Sequence, residues 1–292
     1  MVSWLLLAFG FQVNEIPLPQ GVMAVTDLVR TERGFAILDA VGGAVFHFTP
    51  DGQLLATHNR KGNGPGEFQK PFRLRYHENH FYLVDLMRRT VLEFDDGLNY
   101  LRDWKIWGMP RDIWVDREGI FLVYWDPRTQ HMVHKMSPSG QWIVSFGTGL
   151  DQEGLLGFQS GQILKCDRLL YFVHHFIPVL EVFETSGAMV RQLPFPGFGL
   201  DETFVDLNRL LGQEKPFNLV IQDLFPALGF LVVKLRDYET QVAWTYVFDI
   251  SRQEFVKKVD CPWNAVSDQK GHFFQIIMDQ EGDPIRLKSL DM

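Results

Sequence analysis

A repeated two-strand unit limits the fold of this chain more than any other feature of its sequence. Phe35–Asp39 is followed by Val45–Phe48 and then by the pair Asp51-Gly52. A second copy keeps the same order of parts, namely Phe81–Asp85, Val91–Phe94 and Asp96-Gly97. Short apolar runs that flank a loop and lead into an Asp-Gly pair are typical of β-strands joined by hairpin turns. The sequence therefore predicts an all-β chain of repeated hairpins.

Further copies of the unit follow at a nearly constant interval. The turn glycines recur about every 45 residues, the spacing of four-stranded propeller blades, at Gly52, Gly97, Gly140 and Gly187. A fifth copy begins at Phe230 and a sixth at His272. The sixth copy lacks an outer strand, which Phe11–Leu18 can supply, and a ring closed in this way has no exposed sheet edge. We predict a six-bladed β-propeller of four-stranded antiparallel blades over residues 11–292.

The interval between the fourth and fifth copies is longer than one repeat by roughly 20 residues. Residues 201–212 carry apolar side chains with helical spacing, at Phe204, Leu207 and Leu211. Asp201 fits an N-cap and Gly212 fits a C-cap. These features predict one short helical insertion near residues 201–212.

The segment Lys61–Pro71 contains three glycines and two prolines, so it cannot form a helix or a central strand. We predict a shaped connection between the first two blades, anchored by Phe68. Its structural residues are Gly62, Gly64, Pro65, Gly66 and Phe68. A degenerate second copy spans residues 147–158. Basic residues near the loop fit a solvated face or, alternatively, a dock for an anion, and they are Arg60, Lys61, Lys70, Arg73 and Arg75.

The repeat resembles the NHL-type six-bladed β-propeller family, and in particular bacterial six-bladed propellers without a known activity. The resemblance rests on the strand-end residues Asp39 and Asp85, the Phe48–Gly52 turn and the Lys61–Pro71 loop, and it is strongest over residues 20–100. It implies an exported bacterial protein, periplasmic or extracellular or associated with the envelope. The residues themselves do not exclude the cytoplasm.

This sequence departs from the NHL pattern at several positions. The family places an arginine five residues after the strand-end aspartate, where this chain has Ala44 and Thr90. Arg88 or Arg89 could replace that arginine in the second blade. The fourth copy has His174 instead of the aspartate.

Polar residues of both signs are predicted to gather at one mouth of the propeller. They come from the ends of the second strands, at Asp39, Asp85, Asp126, His174, Lys234 and Asp279. Such residues can form a ligand or metal site, or each can cap its own loop by binding nearby amides. The candidate ligand- or partner-binding residues are five of these, Asp39, Asp85, Asp126, His174 and Lys234, together with Arg60, Lys61, Arg89 and Trp107.

Composition and motifs exclude several classes of function. The net charge of −8 argues against nucleic-acid binding. Two cysteines, Cys166 and Cys261, exclude a disulfide framework but not a single bridge. The chain has no Gly-x-Ser-x-Gly motif and no phosphate-binding Gly-Lys-Ser/Thr motif. Three histidine pairs, His77/His80, His131/His134 and His174/His175, cannot chelate a metal from a regular strand. No metal and no cofactor is predicted, and a zinc or calcium site assembled from different blades stays open.

The N-terminal residues 1–10 are apolar but too short to span a bilayer, and they fit either a signal-like segment or an apolar terminus. We predict a non-enzymatic binding or scaffold propeller with a protein or glycan partner, within a larger envelope-associated assembly. Candidate exposed aromatics support it, at Trp107, Phe195, Phe198 and Trp263. The alternative is a lyase or hydrolase at the channel mouth, resembling the NHL-type amidating lyases. A structural lid on a membrane complex is a third hypothesis, and the small-molecule ligand stays open.

Overall fold

The computed structural model describes residues 15–148, 160–197, 219–227, 230–237, 243–260, 265–267, 273–278 and 284–290. The regular structure in these ranges is entirely β, as predicted. The helix predicted near 201–212 and nearly all of the second loop copy lie outside the described residues.

The described strands form sheets of four strands each. Strand β1 (Glu15–Pro17) pairs with the last strand of the chain. The first sheet contains β2 (Asp27–Thr31), β3 (Gly34–Asp39), β4 (Ala44–Phe48) and β5 (Leu54–His58). The second contains β6 (Pro71–His77), β7 (His80–Asp85), β8 (Thr90–Asp95) and β9 (Tyr100–Lys105). The third contains β10 (Asp112–Asp116), β11 (Gly119–Asp126), β12 (His131–Met136) and β13 (Trp142–Thr148).

Three further sheets follow the same plan. The fourth contains β14 (Gly161–Cys166), β15 (Leu169–His174), β16 (Val179–Glu184) and β17 (Met189–Pro194). The fifth contains β18 (Leu219–Ala227), β19 (Phe230–Asp237), β20 (Ala243–Asp249) and β21 (Glu254–Asp260). The sixth contains β22 (Ala265–Ser267), β23 (Phe273–Met278), β24 (Pro284–Leu290) and β1. These up-and-down sheets are the blades of a β-propeller.

The N-terminal strand completes the last sheet, as the repeat pattern predicts. Strand β1 lies antiparallel to β24, with Glu15 opposite Lys288 and Pro17 opposite Arg286. Ile16 is buried beside Leu287 in the apolar cluster that also contains Phe35 and Phe48 of the first sheet.

The chain divides into two compact units. One comprises Met1–Leu83, Leu92–Arg102 and Asn264–Met292, and the other comprises Val84–Val91 and Asp103–Trp263. In both units the apolar cores lie between neighbouring sheets. In the second unit, for example, Phe146 of β13 packs against Phe183 of β16 with ring centroids 5.1 Å apart.

Buried aspartates connect the first strands of neighbouring sheets. In the first unit, the Asp27 carboxylate accepts a 2.9 Å hydrogen bond from the Leu74 amide of β6 and a 3.1 Å bond from the Arg75 guanidinium. In the second unit, Asp112 of β10 accepts a 2.9 Å bond from the Ile163 amide of β14. A carboxylate can satisfy a backbone donor that no ladder reaches, and these bonds therefore fix one sheet against the next.

The loop between the first two sheets is built around Phe68, as predicted. Phe68 is fully buried, and its amide donates to the Arg60 carbonyl at 3.1 Å. The Glu67 carboxylate accepts the Gly64 amide at 2.9 Å. Gly62 has a φ of 154°, a backbone conformation that favours glycine. Gly66 has a φ of 73°, and its carbonyl accepts a 2.7 Å bond from His58.

Two expectations about exposure are wrong. Arg73 and Arg75 are buried in β6 and are not part of a solvated basic face, because Arg75 pairs with Asp27. Phe195 is buried, since its ring packs on Tyr246 and Phe255 with centroids 5.4 and 4.9 Å away. Phe198 and Trp263 lie outside the described residues.

Cys166 is a free thiol, and burial raises its pKa to about 11. Cys261 lies outside the described residues. Across the described ranges, no helix has the length and apolar character needed to cross a bilayer.

Replacing Phe68 with alanine should lower the free energy of unfolding by about 3–5 kcal/mol, because it removes a fully buried ring and leaves a cavity. Urea unfolding of the purified variant measures this loss. Leu54→Ala, at an exposed position, should change stability by less than about 0.5 kcal/mol. A loss below about 1 kcal/mol for Phe68→Ala would contradict the anchoring role.

His134 should make the protein less stable in mild acid. Its Nε2–H donates to the Tyr124 carbonyl at 2.8 Å, and burial lowers its pKa to about 4. The unfolded chain binds a proton near pH 6.5 that the folded chain binds only near pH 4. The stabilisation is therefore complete above pH 6.5 and is lost as the pH falls from 6.5 towards 4, by up to about 3 kcal/mol.

Urea midpoints between pH 7.5 and 4.5 test this prediction. The His134→Gln variant should show a weaker pH dependence than the wild type. It should keep part of the dependence, since burial also lowers the pKa of His47 and of His58. Equal slopes for the two proteins would show that His134 is not responsible.

Candidate binding surface

The strand-end aspartates cap their own loops. Asp39, at the end of β3, accepts hydrogen bonds from the amides of Met23 (2.8 Å), Ala24 (3.1 Å) and Gly42 (2.7 Å). Its side chain is buried by these contacts. The geometry fits the capping alternative of the sequence analysis.

Asp85, at the end of β7, is also buried. Its Oδ1 accepts the amides of Met87 at 3.0 Å and Arg88 at 3.1 Å. The Arg88 guanidinium binds the Asp103 carboxylate at 3.1 Å. In the second blade, Arg88 thus pairs with an acid that the sequence analysis did not consider.

The remaining strand-end candidates differ from one another. His174 ends β15, as predicted, and its ring is buried with Nε2 3.6 Å from Glu181 Oε2. Lys234 does not end its strand, because β19 continues to Asp237, and the predicted strand-end position of Lys234 is therefore wrong. It lies buried within β19, opposite Thr245 of β20. Asp279 lies outside the described residues.

The two basic candidates of the glycine-rich loop lie in the first unit. Arg60 is exposed and forms a 3.5 Å ion pair with Glu67. Lys61 forms a parallel bridge with Phe68, and its aliphatic stem packs on Gly43, where a Cβ would lie 2.4 Å from Lys61 Cε. Both residues thus support the loop itself.

Trp107 lies on a surface that three loops of the second unit build together. The loops are residues 86–89 after β7, residues 106–111 before β10 and residues 127–130 after β11. We call its exposed side chains the Trp107 surface, comprising Met87, Arg89, Trp107, Met109 and Arg128. Trp107 is 72% exposed, Met87 is 62% exposed and Met109 is 43% exposed.

Backbone contacts join the first two of these loops to each other and to β11. The Ile106 amide donates to the Arg89 carbonyl at 2.9 Å, and the Arg111 amide donates to the Val123 carbonyl of β11 at 2.7 Å. Gly108 lies so close to Tyr124 that a Cβ would stand 2.2 Å from its ring. With Ile106 buried on one side of Trp107, the exposed indole has a firmly fixed backbone.

Arg128 covers one face of the Trp107 indole. Its guanidinium carbon lies 4.3 Å from the ring centroid, within the range of a cation–π contact. Asp126 holds that guanidinium through bonds of 2.9 Å to Nε and 2.6 Å to Nη2. The hydrogen bond from Arg128 lowers the pKa of Asp126, so the carboxylate stays charged near neutral pH.

Three of the predicted site residues therefore meet at one place, namely Arg89, Trp107 and Asp126. Three members of the Trp107 surface, Met87, Met109 and Arg128, are not predicted from the sequence. An exposed methionine two residues after a strand-end aspartate, as in Asp85-Leu86-Met87, was the available signal. Among the described residues, no group of three or more His, Cys, Asp or Glu side chains is placed to hold a metal.

Comparisons with known proteins identify the fold alone. Neither protein-family models nor curated protein sequences give a match. A member of the DUF4221 family from Bacteroides vulgatus superposes with a TM-score of 0.66 at 10% identity, over 95% of each chain. A protein from Bacteroides fragilis classed as exported gives 0.64 at 12% identity, over 95% of this chain and 94% of that one. Streptogramin B lyase gives 0.58 at 8% identity, over 94% and 97%.

Replacement of Asp39 by alanine distinguishes a structural cap from a ligand-binding residue. It should lower the free energy of unfolding by about 2–4 kcal/mol, because three amides lose a charged acceptor. Chemical unfolding of Asp39→Ala measures the loss, and Asp51→Ala in an exposed turn is the matched control. Equal stability of Asp39→Ala and the wild type would remove the capping role.

Proposed function

We propose that this chain is a non-enzymatic binding module that docks a protein partner through the Trp107 surface. The observation that carries the proposal is that Trp107, Met87 and Met109 are all exposed, on two loops that the Ile106–Arg89 backbone bond joins. Tryptophan, methionine and arginine are the side chains enriched at protein interfaces.

The arrangement also suits binding energetically. A rigid aromatic group loses little conformational freedom on docking, and pre-organisation lowers the entropic cost of association. Arg128 is already held by Asp126 and Trp107, so it also needs little ordering. Tryptophan and arginine account for many of the residues that dominate interface energies.

The charges of the Trp107 surface favour an apolar segment with an acidic residue. The Arg89 guanidinium is exposed, and it has no ion-pair or hydrogen-bond partner within the part of the chain that the structure describes. An arginine can bind a carboxylate in a bidentate geometry. A partner segment with an apolar residue on Trp107 and a carboxylate on Arg89 would match both features.

The same proposal extends to architecture and location. We infer a six-bladed ring of NHL-like type over residues 11–292, with residues 1–10 as a signal-like or terminal segment. The repeated four-stranded sheets and the β1–β24 pairing support it. Export to the periplasm or cell exterior, within an envelope-associated assembly, agrees with the exported class of the Bacteroides fragilis neighbour.

The lyase or hydrolase alternative draws less support from the geometry. It relied on Asp85 and His174, and both side chains are buried. The Asp85 carboxylate is occupied by loop amides. The likeness to streptogramin B lyase concerns the fold and carries no residue of that protein to this chain.

Site-specific photo-crosslinking in cells of the native source tests the proposal. A photoreactive phenylalanine derivative in place of Trp107 should give a discrete cross-linked protein, which mass spectrometry identifies. The purified partner should then bind Trp107→Ala at least tenfold more weakly than wild type, because truncating a central tryptophan costs about 2 kcal/mol or more.

Trp142 provides the matched control, since it is also partly exposed in the second unit. The photoreactive group at position 142 should not give the same adduct, and Trp142→Ala should retain affinity for the partner. Equal affinities for Trp107→Ala and wild type would refute the docking role. Cross-linking to glycan, or to no macromolecule, would also refute it.

A further inference from the structure

The fourth sheet contains a group of three polar side chains whose hydrogen-bonding capacity is only partly used. Glu181 of β16 and His174 of β15 are almost completely buried. Gln192 of β17 lies opposite Glu181 and is partly exposed. Within the described part of the chain, four of their buried atoms have no hydrogen-bond partner, namely His174 Nδ1 and Nε2, Glu181 Oε2 and Gln192 Oε1.

Such a group is costly unless something satisfies it. A buried polar atom without a partner loses its hydration and gains nothing in return. A buried glutamate of the second sheet shows how such a carboxylate can be satisfied, because Glu93 of β8 accepts a 2.5 Å bond from Arg102 and a 3.3 Å bond from Tyr82. Among the described residues, no arginine or lysine side chain pairs with Glu181.

The unpartnered atoms of His174 and Glu181 have the spacing of two ligands on one ion. His174 Nε2 and Glu181 Oε2 are 3.6 Å apart, too far for a good hydrogen bond. Two ligands that each lie about 2.1 Å from a tetrahedral ion are separated by about 3.4 Å. The observed distance is close to this value.

Gln192 supplies a third oxygen at the same carboxylate. The Gln192 Nε2 atom donates to Glu181 Oε1 at 2.8 Å, and this bond fixes the carboxamide beside the carboxylate. The Gln192 Oε1 atom has no donor among the described residues. When the imidazole proton is on Nδ1, all three atoms can only accept a hydrogen bond or bind a cation, namely His174 Nε2, Glu181 Oε2 and Gln192 Oε1. A cation satisfies such a set.

We propose that His174, Glu181 and Gln192 form a binding site for a divalent transition-metal ion, with zinc as the best match. One imidazole nitrogen and two oxygens suit zinc better than magnesium or calcium, which prefer oxygen ligands only. A water molecule that enters beside the partly exposed Gln192 completes four-coordination. The site is distinct from the Trp107 surface and does not depend on the function proposed for it.

Metal titration of the full chain, after treatment with a chelator, tests the site. Zinc should bind with a stoichiometry of one and raise the Tm by about 4 °C at a hundredfold excess over Kd, whereas magnesium should not. Cobalt(II) as a spectroscopic probe should give d–d absorption bands of a tetrahedral site with mixed nitrogen and oxygen ligands. A wild-type protein without saturable zinc binding would overturn the proposal.

Variants locate the ion. Glu181→Gln should abolish zinc binding, whereas Glu93→Gln should retain it, although both variants remove a buried carboxylate from the third strand of a sheet. If Glu181→Gln fails to fold, Gln192→Ala at the partly exposed position should still fold and bind zinc at least tenfold more weakly. Unchanged zinc affinity and cobalt spectra in Gln192→Ala and Glu181→Gln would place the ion elsewhere and overturn the assignment.

Discussion

The carboxylate–amide bond between neighbouring first strands is the interaction on which the packing of the sheets depends. The first strand of each sheet has one edge that no strand of its own sheet covers, and unpaired amides there are costly when buried. Asp27 satisfies the Leu74 amide and Asp112 satisfies the Ile163 amide of the next sheet. A charged hydrogen bond of this kind contributes about 1.5–3 kcal/mol and, unlike an apolar contact, it also specifies direction and distance. The apolar faces of adjacent sheets can then pack in a single register, as Phe146 and Phe183 do.

A second constraint acts within individual sheets, as in the second and third, where the third strand buries a polar side chain. His134 binds the Tyr124 carbonyl of the second strand and the Ser145 hydroxyl of the fourth, at 2.8 and 3.1 Å. Glu93 likewise binds Tyr82 of the second strand and Arg102 of the fourth. These bonds tie the outer strand to the sheet beyond its ladder. Buried polar groups of this kind favour one pairing register over others at some cost in stability.

Local sequence signals predict the second and third strands well because hairpin chemistry is local. The alternation and the Asp-Gly turn place β3, β4, β7 and β8 almost to the residue. The first strands of the sheets are not predicted by these local signals. Asp112-Ile-Trp-Val-Asp116 begins and ends with acids whose partners, Ile163 and Lys165, are about 50 residues away. Their meaning depends on tertiary contacts that a single sequence does not show.

The wrong predictions also concern features that depend on tertiary contacts and not on local sequence. Phe195 lies in a turn-rich run typical of exposed connections, but tertiary packing on Tyr246 and Phe255 buries it. Lys234 was aligned to a strand end by its position in the repeat, whereas β19 extends to Asp237 and β18 contains a register shift between Ile221 and Asp223. The exposure of Trp107 was predicted correctly. Its neighbours come from loops that meet only after folding, through bonds such as that from Ile106 to Arg89.

The strand-end aspartates have a common role that links the fold to the Trp107 surface. Asp85 accepts the amide of Met87, and Asp126 accepts the amide of Arg128, in each case two residues further along. Asp39 caps its loop one residue later, at Gly42. Each carboxylate is buried, whereas the side chain two residues after it is exposed: Val41, Met87 and Arg128.

The aspartates therefore fix the start of each loop, and the side chain two positions later is the one exposed to solvent. A substitution of Met87 can change the surface without disturbing the cap, because only the backbone amide of Met87 binds Asp85. Strand-end acids in a repeat of this kind consequently identify the loop positions whose side chains project into solvent.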